Sequence, residues 1–295
     1  MKNGLMSDDL LTPITSDTID TLSNSERQKL DDFYQSIRLK DSGAVAGYGS
    51  SLQQSLSRLS GRMISLINTD ETGHLESVLS SAVAYLSVIS ETESLPSGTD
   101  TSLQTRIRDR YRAAEKNVDM VTTALQQYHV GLIKDQSLLT QLYHMNAVYY
   151  RELSLAIWAG RQKISDYQNG TMSDLRQRAL HSPLSENAET ASDMQTLLTR
   201  FCKKLEELEL TCNVALQTAA VIRSASENRS RMALKVQETL FQSIPLWKEQ
   251  VMEDITSPHA ISGPPSGPAH HTRQQMNLYL LKNLKEMHLL CRAGK

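Results

Sequence analysis

Arg223, Arg229 and Arg231 close a segment that reads CNVALQTAAVIRSASENRSR over residues 212–231. A guanidinium presents its N–H donors in a planar fork that matches an oxyanion, so convergent arginines would make an anion-binding site. Arg223 is the first candidate and Arg229 and Arg231 follow it. The competing reading is equally concrete. Glu227 lies four residues after Arg223, the helical spacing at which a carboxylate neutralises a cation on a solvated face. Lys203 and Lys204 beside Glu206 and Glu207 raise the same alternative.

Other reactive side chains are sparse. Cys202, Cys212 and Cys291 form no CxxC pair and are too few for a disulfide framework. Cys202 and Cys212 fit an apolar helix face, where a thiol is a small core residue before it is a nucleophile. His270 and His271 sit in a Pro/Gly-rich stretch without metal-ligand spacing, so no metal is expected. No phosphate loop, dinucleotide fingerprint or nucleophile elbow is present, and no cofactor is expected. Reduction of an anion would need an electron source that none of these groups supplies. The sequence points away from an enzyme.

The elements that must position the arginines are helices. Aromatic residues make up only 5% of the 295 residues, which favours aliphatic helical seams over a sheet core. A net charge of -2 supplies no field for nucleic acid. The N-terminus lacks a signal peptide and no run approaches the ~20 apolar residues of a membrane span, so a cytoplasmic location is expected.

Residues 1–45 read as a polar, partly disordered segment with a short helix at 23–40. Gly47, Tyr48 and Gly49 mark a turn into Leu52, Leu56, Leu59, Met63 and Ile67 at helical spacing. After a break at 70–73, Leu75, Leu79, Val83 and Leu86 continue the pattern until the breakers at 94–100. Two helices follow, over about 102–129 and 134–167, with Gly131 in a short connection that makes them antiparallel neighbours.

The longest pattern spans 185–243. Met194, Leu198, Phe201, Leu205, Leu208, Cys212, Ala215, Ala219 and Ile222 advance by alternating fours and threes, then less strictly through Ala233, Val236 and Leu240. Pro245 should bend or end this helix, with Leu246 and Trp247 packing a short following segment. Residues 255–272 form a Pro/Gly-rich linker or loop. The final amphipathic helix, from Arg273, carries Met276, Leu280, Leu284 and Met287 on one face. The fold expected is all-α, an elongated bundle of long antiparallel helices with coiled-coil-like packing, its main domain covering 46–254.

Ala215 and Ala219 are small where Leu205 and Leu208 are large. Small seam residues let a second backbone approach closely and hold Asn213 or Gln217 near a partner's polar groups. Trp158 and Trp247 read as anchors of helix ends, and Tyr149 and Tyr150 as one core ring and one hydrogen-bonding hydroxyl.

These residues carry a resemblance. Val214-Ala215-Leu216-Gln217-Thr218-Ala219, then Val221-Ile222-Arg223, then Ile244-Pro245-Leu246-Trp247-Lys248, resemble the signature of the toxic anion resistance proteins typified by TelA. Upstream, Asn146, Tyr150, Glu152-Leu153, Ile157, Ala159 and Gly160 are similar to that family's tyrosine-rich helix. The resemblance spans about residues 45–250. It implies a mainly helical bacterial protein linked to tellurite resistance or stress, and transfers no catalytic residue. Two departures stand out: Ala220 replaces a proline usual in the family, which predicts a straighter helix, and the Pro/Gly stretch interrupts a helix the family continues.

The function expected is therefore a non-enzymatic scaffold in resistance to toxic oxyanions, acting through a protein partner or self-association. The alternative is direct oxyanion binding at Arg223, Arg229 and Arg231. Asn213, Ala215, Gln217, Ala219, Pro245, Trp247, Asn146 and Tyr150 form the packing or recognition motif. Nucleic acid is not an expected partner, and peripheral membrane contact through the terminal helix is a further reading.

Overall fold

The computed structural model describes residues 11–67, 72–93, 101–170, 173–174, 177, 185–249 and 268–293. Among the described residues there is no strand, and the all-α expectation holds. A 3-10 turn at Ile19–Thr21 precedes α1 (Asn24–Ser36), α2 (Ser42–Gly47), α3 (Ser50–Ile67), α4 (Thr72–Glu93) and α5 (Thr101–Asn169). Then come α6 (Ser185–Glu238), a π turn at Thr239–Ser243, α7 (Ile244–Trp247) and α8 (Pro268–Ala293). None of these helices is long and apolar enough to cross a membrane.

Contacts divide the chain into two compact units, Met1–Ser65 with Leu139–Ser224 and Leu66–Leu138 with Ala225–Lys295. Because α5 and α6 each give a stretch to both, neither unit is a contiguous segment, a division the composition of the chain does not announce.

In the first unit Ser23 caps α1 through a capping box. Its hydroxyl accepts from the Glu26 N–H at 3.3 Å, and its own N–H donates to the Glu26 carboxylate at 2.9 Å. The same carboxylate accepts from Arg151 Nε of α5 at 2.7 Å, so one side chain ties the helix start to its neighbour. Burial alone would raise the Glu26 carboxyl, but Arg151 and the Ser23 bonds outweigh it and hold the pKa at about 2 against an ordinary 4.5. Ile14, Leu22 and Leu155 are buried together below this contact, with Trp158 packed against them.

The turn expected around Gly47 is present and rests on Gly49, whose φ of +69° lies in the left-handed region. A Cβ there would also stand 2.9 Å from the Leu208 methyl carbons. The core of this unit gathers Leu39, Val45, Leu56, Leu153, Leu198, Phe201, Leu205 and Leu208. Tyr48 packs edge-on to Phe201 at 5.3 Å and donates to the Ala156 carbonyl at 2.7 Å. In this unit α5 and α6 run antiparallel, as the pairs Tyr143 with Arg223 and Arg161 with Glu209 require.

The connection expected at Gly131 does not exist. Residues 101–169 form one helix of 69 residues, so the two predicted helices are not antiparallel partners. Leu125, Leu132 and Leu139 recur every seven residues across the glycine and are all buried. Each buried leucine contributes roughly 1.5–3 kcal/mol, against about 1 kcal/mol for one helical glycine, so packing overrides the local breaker.

The second unit packs α8 on α4 and gathers Leu79, Leu86, Val118, Leu125, Val236, Leu240, Trp247, Leu280 and Leu284 into its core. Pro245 neither ends nor sharply breaks the preceding helix. The backbone widens into the π turn one residue before Ile244, whose N–H reaches Thr239 O, and that wider turn accommodates the proline ring. Trp247 is fully buried whereas Leu246 is exposed, so only the tryptophan packs. α8 begins at Pro268, five residues before the expected start, with proline at the first helical position where its missing N–H costs nothing. The rest of the Pro/Gly stretch, and the breaks at 70 and 94–100, lie outside the described residues.

Two glycines should respond in opposite directions. Gly49→Ala should lower stability in urea unfolding by about 1–2 kcal/mol, since it forces a side chain into the left-handed region against Leu208. Gly61→Ala, in α3 with open space around it, should raise stability by roughly 0.5–1 kcal/mol. The Glu26 carboxyl is depressed in the folded state, so its contribution is present above pH 4.5 and fades as pH falls toward 2. Glu26→Gln should flatten the pH dependence of the urea midpoint across that window; an unchanged slope would remove Glu26 from acid unfolding.

Candidate functional site

The signature segment splits between two faces of α6. Ala215 and Ala219 point inward, 1% and 3% exposed, and Ile222 continues their row. Asn213, Gln217 and Ala220 point outward. Opposite the inward row stand Tyr143, Asn146 and Tyr150 of α5, spaced three and four residues apart, all buried. Asn146 Nδ2 donates to the Ala215 main-chain carbonyl at 2.9 Å. That bond requires a side chain no larger than alanine at the contact, because an amide must reach the helix backbone itself. Asn146 Oδ1 is buried and has no partner among the described residues.

One turn to either side the row changes character. Arg223 Nη2 donates to Tyr143 Oη at 2.8 Å, and its guanidinium lies 5.6 Å from the ring centroid. Toward the other end Cys212 lies near Tyr150 and Ser154. Burial pushes the Cys212 thiol up to about 11, so it is a thiol and not a thiolate at neutral pH. Burial also raises the Tyr150 phenol. Cys202 is raised by burial and then by Glu206. None of these groups is primed as a nucleophile.

The arginine candidates are distributed over both units. Arg223 belongs to the first, and Arg229 and Arg231 to the second. Arg229 pairs with Asp135 at 2.8 Å and donates to Leu66 O at 3.0 Å, which seats a cation on the last turn of α3. Arg231 donates to Asn228 one turn before it. Among the described residues no group of three or more His, Cys, Asp or Glu could hold a metal ion, and the side chains of His270 and His271 lie outside them.

Pro245 and Trp247 serve the second unit. Trp247 Nε1 donates to Asn277 Oδ1 at 2.6 Å, and Asn277 Nδ2 donates to Tyr111 Oη, all three residues being fully buried. A second polar contact joins α6 and α8: Lys235 reaches Glu286 at 2.7 Å and Asn283 Oδ1, while Asn283 Nδ2 donates to Ser243 at 2.9 Å. Sequence reasoning singled out Trp247 but neither Asn277 nor Asn283. Their signal was an asparagine on the same helical row as Leu280, Leu284, Met287 and Cys291.

A profile of the family described as Toxic anion resistance protein (TelA) matches residues 30–259. TelA-like proteins of Staphylococcus aureus strains Mu50 and N315 are 29% identical over 245 residues, covering 80% of this chain and 65% of theirs. A TelA-like protein of strain MSSA476 aligns to the same extent. The chain thus spans less than two thirds of the length of these curated relatives. No solved structure matches.

Asn277→Ala should cost about 2–4 kcal/mol in urea unfolding, because it strands the buried Trp247 indole N–H and leaves a void beside it. Tyr279→Ala, on the exposed side of the same helix, should stay within about 0.5 kcal/mol. Equal losses at both positions would count against the network.

Proposed function

The chain belongs to the toxic anion resistance protein family, and from that premise we propose that it acts as a non-enzymatic helical interaction protein in resistance to oxyanions such as tellurite. One observation carries the reading. On α6, directly opposite the inward Ala215 and Ala219, the outward row is Leu210, Val214, Gln217 and Val221. Its spacing of four, three and four is a second heptad seam, and Leu210, Val214 and Val221 are 65%, 50% and 45% exposed.

A seam of three turns with amides at Asn213 and Gln217 suits an amphipathic helix laid along it. The apolar residues would supply burial and the two amides would set register. That helix belongs to a protein partner or to a second copy of this chain. A cytoplasmic location and a part in the stress response belong to the same proposal.

The alternative, direct oxyanion capture at Arg223, Arg229 and Arg231, has the guanidinium chemistry in its favour. It requires each arginine to exchange a partner it already holds: Tyr143, Asp135 and Asn228. Tellurite titration of the protein and of Arg223→Ala tests it, and equal heats from both would end the case for Arg223.

For the leading reading the decisive variant is Val214→Glu with Val221→Glu. Both positions are exposed, so thermal stability should change little, within about 0.5 kcal/mol per site. Self-association by light scattering, or recovery of a specific partner from tellurite-stressed cells, should fall at least tenfold. A wild-type protein that is strictly monomeric and recovers no specific partner would sink the proposal.

A further inference from the structure

We propose that the first unit carries an anion-binding pocket at Arg200 and Lys203, suited to a dianionic oxyanion with a small apolar substituent, the chemistry of a phosphomonoester. The pocket has a volume of about 260 Å3 and lies between α2 and the N-terminal part of α6. Val45 and Ala46 from α2 and Leu197 from α6 give it an apolar lining. Arg200 stands about one turn before the adjacent Lys203 and Lys204 on α6; these three bring positive charge to the pocket, and Glu207, also in its lining, brings one negative charge.

The charges are not equivalent. Lys204 Nζ lies 3.2 Å from Glu207 and donates to Gln53 Oε1 at 3.1 Å, and Gln53 is itself held by Thr211 at 3.0 Å. That ammonium is neutralised and fixed, 12% exposed. Arg200 and Lys203 make no hydrogen bond or ion pair with any described residue. Elsewhere in the same unit Lys29, Arg151 and Arg161 each hold a carboxylate. Arg38, Lys40 and Arg62 of this unit likewise make no ion pair with a described residue, so what singles out Arg200 and Lys203 is the pocket they line.

A guanidinium fork and an ammonium one turn apart on one helix, both in the pocket lining, offer several N–H donors and a combined charge of two, which a phosphate dianion matches. The volume falls below the ~300–1,000 Å3 of clefts that take drug-sized ligands, so it selects for a compact molecule. The apolar lining then favours a substituted phosphate over the inorganic ion. This site does not rest on the outward seam of α6, whose residues lie further along the helix.

Calorimetric titration of the full chain at low salt, with inorganic phosphate and with phenyl phosphate as probes, tests the pocket. Saturable binding of both is expected, with phenyl phosphate at least threefold tighter and both weakened by added salt. Arg200→Gln with Lys203→Gln should weaken phenyl phosphate at least tenfold while leaving helicity and Tm unchanged, because both side chains are exposed. Val214→Glu with Val221→Glu should leave the titration unaltered, which separates the two proposals. Flat titrations with both probes, or binding that survives the double Gln variant, would overturn the site.

Discussion

The bond from Asn146 to the Ala215 carbonyl sets the geometry of the first unit. A side-chain amide that donates directly to a neighbouring helix backbone fixes both the distance and the register of the two helices. Distance follows because only alanine-sized neighbours permit the reach, which gives Ala215 and Ala219 a common cause. Register follows because a slip by one turn would offer Asn146 a different environment and carry Tyr143 away from Arg223. The arrangement has a cost. Asn146 Oδ1 is buried without a partner among the described residues, and such an atom costs about 1–3 kcal/mol. A polar group held at that cost is a device for specifying one alignment over others of similar hydrophobic content.

The second unit meets the same problem with different residues. Asn277 accepts from Trp247 and donates to Tyr111, so α8, the segment after the π turn and α5 are aligned by one buried amide. Lys235 and Asn283 repeat the device further along α6 and α8. Pro245 belongs to this system because the wide turn before it lets the helix continue to Trp247 despite the missing N–H. In both units an asparagine interrupts an apolar row, and in both the interruption orders the helices around it.

Much of this was legible in the sequence. The inward row from Met194 to Ile222 follows heptad spacing closely enough to be read as a buried seam, and eight of its nine positions are buried, Cys212 being half-buried. The order of the signature residues was also sufficient to suggest the family, which the profile match to residues 30–259 then established. Gly131 was misread because a local breaker was weighed without the leucines that recur across it every seven residues. Asn277 was passed over because an amide beside Met276 looks like the polar edge of an amphipathic helix. Only packing from Trp247 and Tyr111 turns that edge into core. The pocket at Arg200 was not legible at all, since Lys203, Lys204, Glu206 and Glu207 read as a balanced surface run. Their pairing is visible only in the structure: Glu207 takes Lys204, while Lys203 and Glu206 make no ion pair with any described residue.

The alanine-rich stretch before the arginines serves two faces at once. Small residues at 215 and 219 make close helix contact on the inside, while Leu210, Val214 and Val221 keep a second apolar row on the outside. Over residues 210–222 spacing alone does not separate them, since both advance by fours and threes, and only the longer run from Met194 marks the inner row as the core face. What distinguishes them is the neighbour each can satisfy. The inner row meets an asparagine whose amide donates to a bare backbone carbonyl; the outer row carries its own exposed amides, Asn213 and Gln217, and is the surface we propose for a partner helix. Tyr143 and Asp135 hold Arg223 and Arg229 each within its own unit, so each of these arginines already donates to a neighbour that an incoming oxyanion would have to displace.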